Sequence, residues 1–296
     1  AIFIVPLVGG IMVALAAVKL VRNVGERGQA TLDIPSVILL AAGITAFVFA
    51  VGEFSADVVR AAIVLVASFV LLGLFAARQL GLEHPVLNVR PMASSRLWPA
   101  CVLVVVSMMT TFSMSVLLPL YFEGAYGMTA LAAGLYILPA IAVNAVTSVV
   151  GGRLMDGYGP WPLLPIGFAL IALGQVGVAL TATSLQLWVV VALTVVVYAG
   201  VGLVMSPSQT AGLGTLPPAE QTHGTALLNT WNMIAASFGP SLFIGLLSSA
   251  AVAAGASGAT AELAQAVGFS AAVRVAAVIA VVGFAVSLVY AFKRRA

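Results

Sequence analysis

The chain alternates between long apolar stretches and short links that are polar or rich in glycine and proline. Each apolar stretch is close to the roughly 20 residues that an α-helix needs to cross the hydrocarbon core of a bilayer. Because such runs of Leu, Ala and Val are longer than a barrel strand requires, the pattern predicts membrane-spanning helices. The nine predicted spans are Ile2–Leu20, Ile34–Gly52, Ala61–Ala77, Leu97–Phe122, Met128–Val150, Pro162–Leu180, Leu187–Met205, Gly224–Ala250 and Ala271–Phe292.

Composition supports the same interpretation. Hydrophobic residues make up 62% of the 296 residues and charged residues 7%, whereas a soluble globular chain carries about 25% charged residues. We therefore expect an all-α integral membrane protein without a soluble domain between its spans. Cys101 is the single cysteine of the sequence, so no disulfide framework is expected.

The positions of lysine and arginine predict the orientation in the membrane. Arg60 and Arg274 fall on one side of the predicted membrane. The other ten basic residues fall on the opposite side, and these are Lys19, Arg22, Arg27, Arg78, Arg90, Arg96, Arg153, Lys293, Arg294 and Arg295. Because lysine and arginine are enriched in cytoplasmic links, we expect the chain to start outside a cell (inner) membrane, cross it in multiple passes and end in the cytoplasm.

The link Gly151–Pro160 reads Gly-Gly-Arg-Leu-Met-Asp-Gly-Tyr-Gly-Pro and joins the fifth and sixth predicted spans. We expect a very short turn at the membrane surface, because both neighbouring runs are long enough to span a bilayer. Gly151 and Gly152 have no side chains, so two helices could approach closely there. Asp156 would meet the start of the following helix, where the helix dipole favours a negative charge. Arg153 lies three residues away, within pairing reach if the first helix continues.

These residues resemble the loop motif of the major facilitator superfamily, Gly-x-Leu-x-Asp-x-x-Gly. The corresponding positions are Gly152, Leu154, Asp156 and Gly159. In that family the motif follows the second helix of each six-helix half and helps to control the swing between the halves. The resemblance therefore implies a gating-loop role for Gly152, Arg153, Asp156 and Gly159. The alternative is a tight, glycine-rich hairpin without such a role.

Further segments resemble the fourteen-span drug:proton antiporter branch of this superfamily, in the order in which that branch has them. They are Ile2–Leu7, Thr31–Pro35, Leu118–Glu123, Gly134–Pro139, Pro218–Glu220 and His223–Ala226. The resemblance implies a major facilitator fold in three parts. Residues 1–22 would hold the last helix of the N-terminal half, residues 23–96 two extra linker helices, and residues 97–296 the C-terminal six-helix half. It also implies N-terminal helices of the same chain, missing from this sequence, that carry the branch's antiporter motifs.

The implied function is proton-coupled efflux of small lipophilic drugs or similar compounds by alternating access, around a cavity near the bilayer midplane. The fourth, fifth, seventh and eighth spans would form the cavity walls of the C-terminal half. Polar residues there are candidates because burying them in lipid is costly, and methionine or phenylalanine offers an adaptable apolar surface. The candidates are Asn144, Ser148, Tyr198, Asn229, Asn232, Met108 and Phe112. Helix-to-helix hydrogen bonding or ordinary packing is the alternative at each position.

Glu123, at the end of the fourth span, is the candidate for proton coupling, and a solvated interfacial acid is the alternative interpretation. Gln175 in the sixth span is expected to form a hydrogen bond to a neighbouring helix. The residues Ser237, Ser241, Gly245 and Ser249 recur every fourth position in the eighth span. Such a stripe of small residues predicts close helix packing.

Several classes of function are disfavoured. The paired acids, histidines or thiols of intramembrane enzymes are missing from the spans, and His84 and His223 have no partner at metal-ligand spacing. We therefore expect no enzyme, no catalytic residues, no cofactor and no metal site. The basic residues lie at membrane edges, so the net charge of +3 does not indicate a nucleic-acid partner. A membrane-embedded scaffold or enzyme subunit, or a transporter of another substrate class, stays open as an alternative.

Overall fold

A computed structural model describes residues 10–15, 33–53, 57–82 and 97–293 of the chain. Residues 1–32 and 33–296 form two separate units. In the first unit residues 10–15 are helical, and the rest of the predicted span Ile2–Leu20 lies outside the described residues.

Eight long helices make up the described part of the second unit. They are α1 (Ile34–Glu53), α2 (Val58–Gly81), α3 (Trp98–Tyr126), α4 (Ala130–Tyr158), α5 (Pro160–Thr181), α6 (Leu187–Leu213), α7 (Gln221–Ala256) and α8 (Ala261–Lys293). Each is long and apolar enough to cross a membrane, and the described ranges contain no strand. The prediction of an all-α membrane protein is confirmed, and these helices correspond to eight of the nine predicted spans.

Local sequence signals set several of the helix ends. The Asp57 carboxylate accepts hydrogen bonds from two backbone amides in the first turn of α2, both at 3.0 Å, as a helix cap does. The Thr129 hydroxyl caps α4 by accepting from the amide of Ala132 at 3.3 Å. Gly127 ends α3 with a φ of 63°, in the left-handed region that glycine occupies without steric cost.

Several helices are markedly longer than their predicted spans, among them α2, α4, α6, α7 and α8. α4 continues to Tyr158 instead of ending at Val150, and α8 begins at Ala261 instead of Ala271. Hydropathy marks the part of a helix that lies in hydrocarbon, whereas the helix itself can continue into the interface. The extension of α4 places most of the Gly151–Pro160 link on a helix.

Helices α3–α8 pack into one bundle, in which α6 lies against α4 and α5, and α8 lies against α3, α5 and α7. At one end the Tyr121 ring stacks on Phe269 with ring centroids 4.1 Å apart, and its hydroxyl donates to the carbonyl oxygen of Ala182 at 2.8 Å. At the other end the Tyr290 hydroxyl donates to the carbonyl oxygen of Ala211 at 2.9 Å. We name these the Tyr121 end and the Tyr290 end.

Helices α1 and α2 form a hairpin whose open end lies at the Tyr290 end, where Phe75 joins a cluster with residues of α3 and α7. The Arg78 guanidinium donates two hydrogen bonds to the Asp33 carboxylate, at 2.8 and 2.9 Å. The Ser36 hydroxyl donates to the same carboxylate, and Gln79 donates to Ser36 at 2.6 Å. The bonds from Arg78 and Ser36 lower the pKa of Asp33 to about 2. The charged carboxylate therefore joins the start of α1 to the end of α2 by charge-assisted bonds.

Candidate functional site

Helices α4 and α6 cross at a point where their backbones nearly touch. A Cβ atom added to Gly202 would lie 2.1 Å from the Thr147 hydroxyl oxygen and 2.7 Å from the Asn144 carbonyl oxygen. One turn further along α4, a Cβ atom on Gly151 would lie 3.1 Å from the Cα atom of Leu203. Such contacts are possible only because glycine has no side chain, so Gly202 fixes the distance between the two helices.

Three of the predicted cavity residues meet at this crossing. The side-chain amide of Asn144 donates a hydrogen bond to the backbone carbonyl oxygen of Tyr198 at 3.0 Å. Ser148 lies beside Gly202, since the added Cβ atom would be 2.9 Å from its backbone nitrogen. Asn144 therefore forms a hydrogen bond between helices, which was predicted from the sequence as the alternative to a role in the cavity. The Tyr198 side chain is 8% exposed, and among the described residues its hydroxyl has no hydrogen-bond partner.

The other predicted cavity residues lie on α3 and α7. Phe112 of α3 is half-buried and packs beside Gly239 of α7, where an added Cβ atom would be 3.5 Å from the Phe112 Cβ atom. Met108, one turn earlier, is also half-buried against the core. Asn229 is exposed, whereas Asn232 is buried with 8% exposure. The two asparagines, three residues apart, therefore occupy different environments.

Buried polar atoms without partners mark two residues that were not among the predicted candidates. Within the described ranges the hydroxyls of Thr110 on α3 and Ser208 on α6 are buried and make no hydrogen bond, and the same holds for the side-chain oxygen of Asn232 on α7. Leaving such an atom unsatisfied costs about 1–3 kcal/mol. A sequence signal was available for Thr110, a polar position in the fourth predicted span, whereas Ser208 lies just beyond the end of the seventh predicted span at Met205 and joins that helix only because α6 continues to Leu213.

The positions of Ser208 and Asn232 along the bundle can be compared through their packing on α3. Gly212 of α6 lies against Ala100, and α6 runs antiparallel to α3. Gly239 of α7 lies against Phe112, and α7 runs parallel to α3. Ser208 precedes Gly212 by four residues, which places it about one turn beyond Ala100 along α3. Asn232 precedes Gly239 by seven residues, which places it near the same level of α3.

Gln175 on α5 does not form the predicted helix-to-helix bond. Its side chain is fully buried, and neither its amide nitrogen nor its oxygen has a partner among the described residues. Its neighbours one turn away, Ile171, Val178 and Ala179, are apolar and buried. The prediction was wrong, because none of the described residues offers a hydrogen-bond partner within reach of this side chain.

The predicted loop motif has a different conformation from the expected turn. Gly152, Arg153 and Asp156 belong to the last turns of α4, and only Gly159 breaks the helix, with a φ of 72°. Gly151 makes the expected close contact, but a Cβ atom on Gly152 would have nothing within 4 Å.

Arg153 and Asp156 are both exposed and, in the described part of the chain, form no ion pair with each other. Gly159, and not Asp156, caps the start of α5, without a side-chain bond. The acid lies at a helix C-terminus, where the dipole disfavours a negative charge. The expectation that Asp156 contacts Arg153 and the start of α5 was therefore wrong, and the residue is an exposed carboxylate without an ion pair among the described residues.

Glu123 lies in the last turn of α3, and its side chain is exposed at the Tyr121 end. Among the described helices, the acidic residues Glu53, Glu123, Asp156 and Glu262 all lie within three residues of a helix end. Within the described ranges, no three acidic, histidine or cysteine residues lie close enough together to hold a metal ion.

Comparison with known proteins gives the family. The sequence model of the Major Facilitator Superfamily matches residues 61–240. Lincomycin resistance protein LmrB of Listeria innocua is 33% identical over 246 residues, which covers 80% of this chain and 51% of the relative. LmrB of Bacillus subtilis is 29% identical over 243 residues, which covers 80% of this chain and 50% of the relative. The chain therefore spans about half the length of these curated relatives.

A solved structure shows a similar fold. It is a bacterial homologue of the human lysosomal transporter Spinster, in an inward-facing and unoccupied conformation. The TM-score is 0.54 at 16% identity, and the match covers 79% of this chain and 58% of that chain. At this identity the likeness concerns the fold alone, and it agrees with the fold expected from the sequence.

Proposed function

Because the chain belongs to the Major Facilitator Superfamily of multi-pass membrane transporters, we propose that it is part of a proton-coupled efflux transporter for lipophilic drugs or similar compounds. The observation that carries the proposal is the 33% identity to a lincomycin resistance protein over 80% of this chain. Transport would proceed by alternating access, with α3–α8 as one of two halves that rock around a shared site. Upstream helices of the same chain would supply the other half.

The site of this half would lie on α3, α4, α6 and α7. Support comes from the buried polar atoms of Thr110, Ser208 and Asn232, which lie on three of these four helices and have no hydrogen-bond partner among the described residues. A substrate group or an ordered water would satisfy them, and buried polar atoms are normally satisfied in this way. Met108 and Phe112 would add adaptable apolar surface. Asn144 would act indirectly, by holding α4 against α6 so that the two helices move together.

Proton coupling needs a group that changes its protonation inside the protein. Each acid of the described helices lies near a helix end, and Glu123 is exposed. We therefore place the coupling acid outside the described residues, in the proposed upstream helices, and give Glu123 at most the role of attracting cations to the surface.

We further propose that the Tyr290 end faces the cytoplasm, together with the C-terminus. Arg78 and Arg153 lie in the helix turns at this end, and the sequence predicts the same side for ten of its twelve basic residues. Residues 23–96 would then be the linker pair and residues 97–296 the C-terminal half. Ser184→Cys, in the connection between α5 and α6, should react with an impermeant thiol reagent from outside. Gly214→Cys, in the connection after α6, should react only after permeabilisation. The opposite labelling would refute the orientation.

The function is tested by transport into everted membrane vesicles that contain the complete protein. With an imposed pH gradient, we expect saturable uptake of a fluorescent lipophilic cation and of labelled lincomycin, abolished by a proton ionophore. Ser208→Ala and Asn232→Ala should alter the apparent substrate affinity. Thr225→Ala is the matched control on α7, because this exposed hydroxyl bonds to the Gln221 carbonyl of its own helix at 2.8 Å. Gradient-independent uptake, or equal effects of all three variants, would contradict the proposal.

A further inference from the structure

Helix α7 and the hairpin of α1 and α2 leave an apolar groove of about 540 Å³ between them. Phe47 and Val51 line it from α1, Leu65 and Phe69 from α2, and six residues of α7 complete the lining between residues 238 and 249. None of these ten lining residues is ionisable. The groove is therefore a surface for hydrocarbon and offers no charge to an ionic ligand.

Aromatic rings close one end of the groove. The Phe47 ring lies with its centroid 6.1 Å from that of Phe69 and 5.8 Å from that of Phe238. From these rings the groove runs towards the Tyr121 end along Ser241, Gly245 and Ser249 of α7.

Small residues form the floor of the groove, which differs from the close helix packing predicted for this stripe. Among the described residues, a Cβ atom on Gly245 would have nothing within 4 Å, so none of the described helices fills the space. Ser249 does not require a polar ligand, because its hydroxyl donates to the Leu246 carbonyl oxygen at 3.2 Å. The small side chains deepen the groove, and in the described part of the chain no helix packs closely on Gly245.

The dimensions of the groove correspond to one leaflet of a bilayer. Its α7 side extends from residue 238 to residue 249, which is about 16 Å at a rise of roughly 1.5 Å per residue. Half of a hydrocarbon core of about 30 Å has nearly the same length. The groove also opens sideways, since Phe69 is 59% exposed and Ile244, next to Gly245, is 42% exposed. It is thus continuous with the apolar helix surface that faces lipid.

We infer that this groove holds one acyl chain of a bilayer lipid, from the leaflet at the Tyr121 end. An acyl chain is long, narrow and uncharged, which matches a closed-ended groove of leaflet length better than a compact drug does. An unfilled groove would leave its lining without dispersion contacts on one side, and an acyl chain restores them. The bound chain would bridge the hairpin to α7, so that a lipid is part of the contact between the linker pair and the bundle.

The experiment uses the complete protein reconstituted in vesicles of phosphatidylethanolamine and phosphatidylglycerol that contain a trace of lipid with a diazirine near the end of one acyl chain. After irradiation, the adducts are mapped by mass spectrometry of peptides. We expect adducts on residues 65–69 and 238–249 to exceed severalfold those on the lipid-exposed face of α5 that includes Leu173 and Leu180. Gly245→Leu should lower the groove adducts severalfold, because its side chain occupies the floor.

Gly73→Leu is the matched control, since Gly73 is exposed on α2 with nothing within 4 Å of an added Cβ atom. It should leave the groove adducts unchanged. If Gly245→Leu does not yield folded protein, the ratio between groove and α5 adducts in the parent protein decides by itself. If adducts in the groove are no more frequent than adducts on α5, the inference is wrong. This is the result expected if another helix fills the groove. Displacement of the adducts by a transported drug would also overturn it, in favour of a substrate site.

Discussion

Replacing Gly202 with alanine should loosen the crossing of α4 and α6. The new Cβ atom would lie 2.1 Å from the Thr147 hydroxyl oxygen, 2.7 Å from the Asn144 carbonyl oxygen and 2.9 Å from the Ser148 nitrogen. The hydroxyl could rotate away, at the loss of its 2.9 Å bond to the Val143 carbonyl. The other two atoms belong to the backbone of α4 and cannot rotate, so the helices must separate until these contacts exceed about 3.4 Å.

Two free-energy terms give the size of the effect. Forcing an extra methyl group into a packed interface costs about 1–3 kcal/mol. Separation of the helices also strains the 3.0 Å bond from Asn144 to the Tyr198 carbonyl, and interhelical bonds of this kind contribute roughly 0.6–2 kcal/mol in membrane proteins. The intrinsic helix preference offsets part of this destabilisation, because alanine in a helix interior is favoured over glycine by about 0.5–1 kcal/mol. The net effect is a destabilisation of about 1–3 kcal/mol.

The single cysteine of the sequence provides the assay. Cys101 is free, buried and 4% exposed, so a fluorogenic thiol reagent reports its exposure on unfolding. A destabilisation of about 1 kcal/mol lowers the melting temperature by roughly 2–4 °C in chains of about 150–250 residues. In this longer chain of 296 residues, Gly202→Ala should therefore lower the melting temperature by a few degrees. Gly152→Ala is the matched control on α4, where an added Cβ atom meets nothing within 4 Å. Equal melting temperatures for the two variants would refute the close crossing.

Three further outcomes are expected. Asp33→Asn should lower the melting temperature at neutral pH. Folding lowers the pKa of Asp33 from 3.8 to about 2. The difference in melting temperature between variant and parent should therefore shrink only as the pH falls below 4 towards 2. A melting-temperature difference that does not change with pH would count against the ion pair with Arg78. Asp156→Asn should reduce transport while leaving the melting temperature unchanged or slightly higher, since the exposed carboxylate lies at a helix C-terminus; parental transport would remove the gating role. Glu123→Gln should keep most of the transport activity, and complete loss with normal expression would contradict its proposed role as a surface acid.

Hydropathy predicted the helices well because crossing a bilayer imposes a constraint that each segment meets by itself. The eight described helices follow from their own residues, as the caps at Asp57 and Thr129 also do. Several helix ends, among them the ends of α4 and α6 and the start of α8, do not follow from the sequence, because the interface accepts both helix and turn. For this reason Asp156 was expected beside the start of α5 and lies in the last turns of α4.

Contacts between helices were predictable only in part. The spacing of Asn144 and Ser148 indicated a shared face of α4, and the structure places both residues at α6. Nothing in the spacing showed that Gly202 would be opposite them. Thr110 and Ser208 were visible as polar positions, but their lack of partners depends on three helices at once.

The stripe of Ser241, Gly245 and Ser249 is the clearest case in which the sequence pattern alone does not predict the packing. Small residues at every fourth position are required by two helices in close contact, and they are equally required by a deep groove between more distant helices. What distinguishes the two cases is the position of the neighbouring hairpin, which Phe47 sets through its ring contact with Phe238 at 5.8 Å. A large ring at this contact separates α1 from α7, so that the small residues beyond it face a space that none of the described helices occupies. The size of the neighbouring side chain, and not the stripe itself, decides whether α7 packs against a helix there or lines the groove proposed to hold an acyl chain.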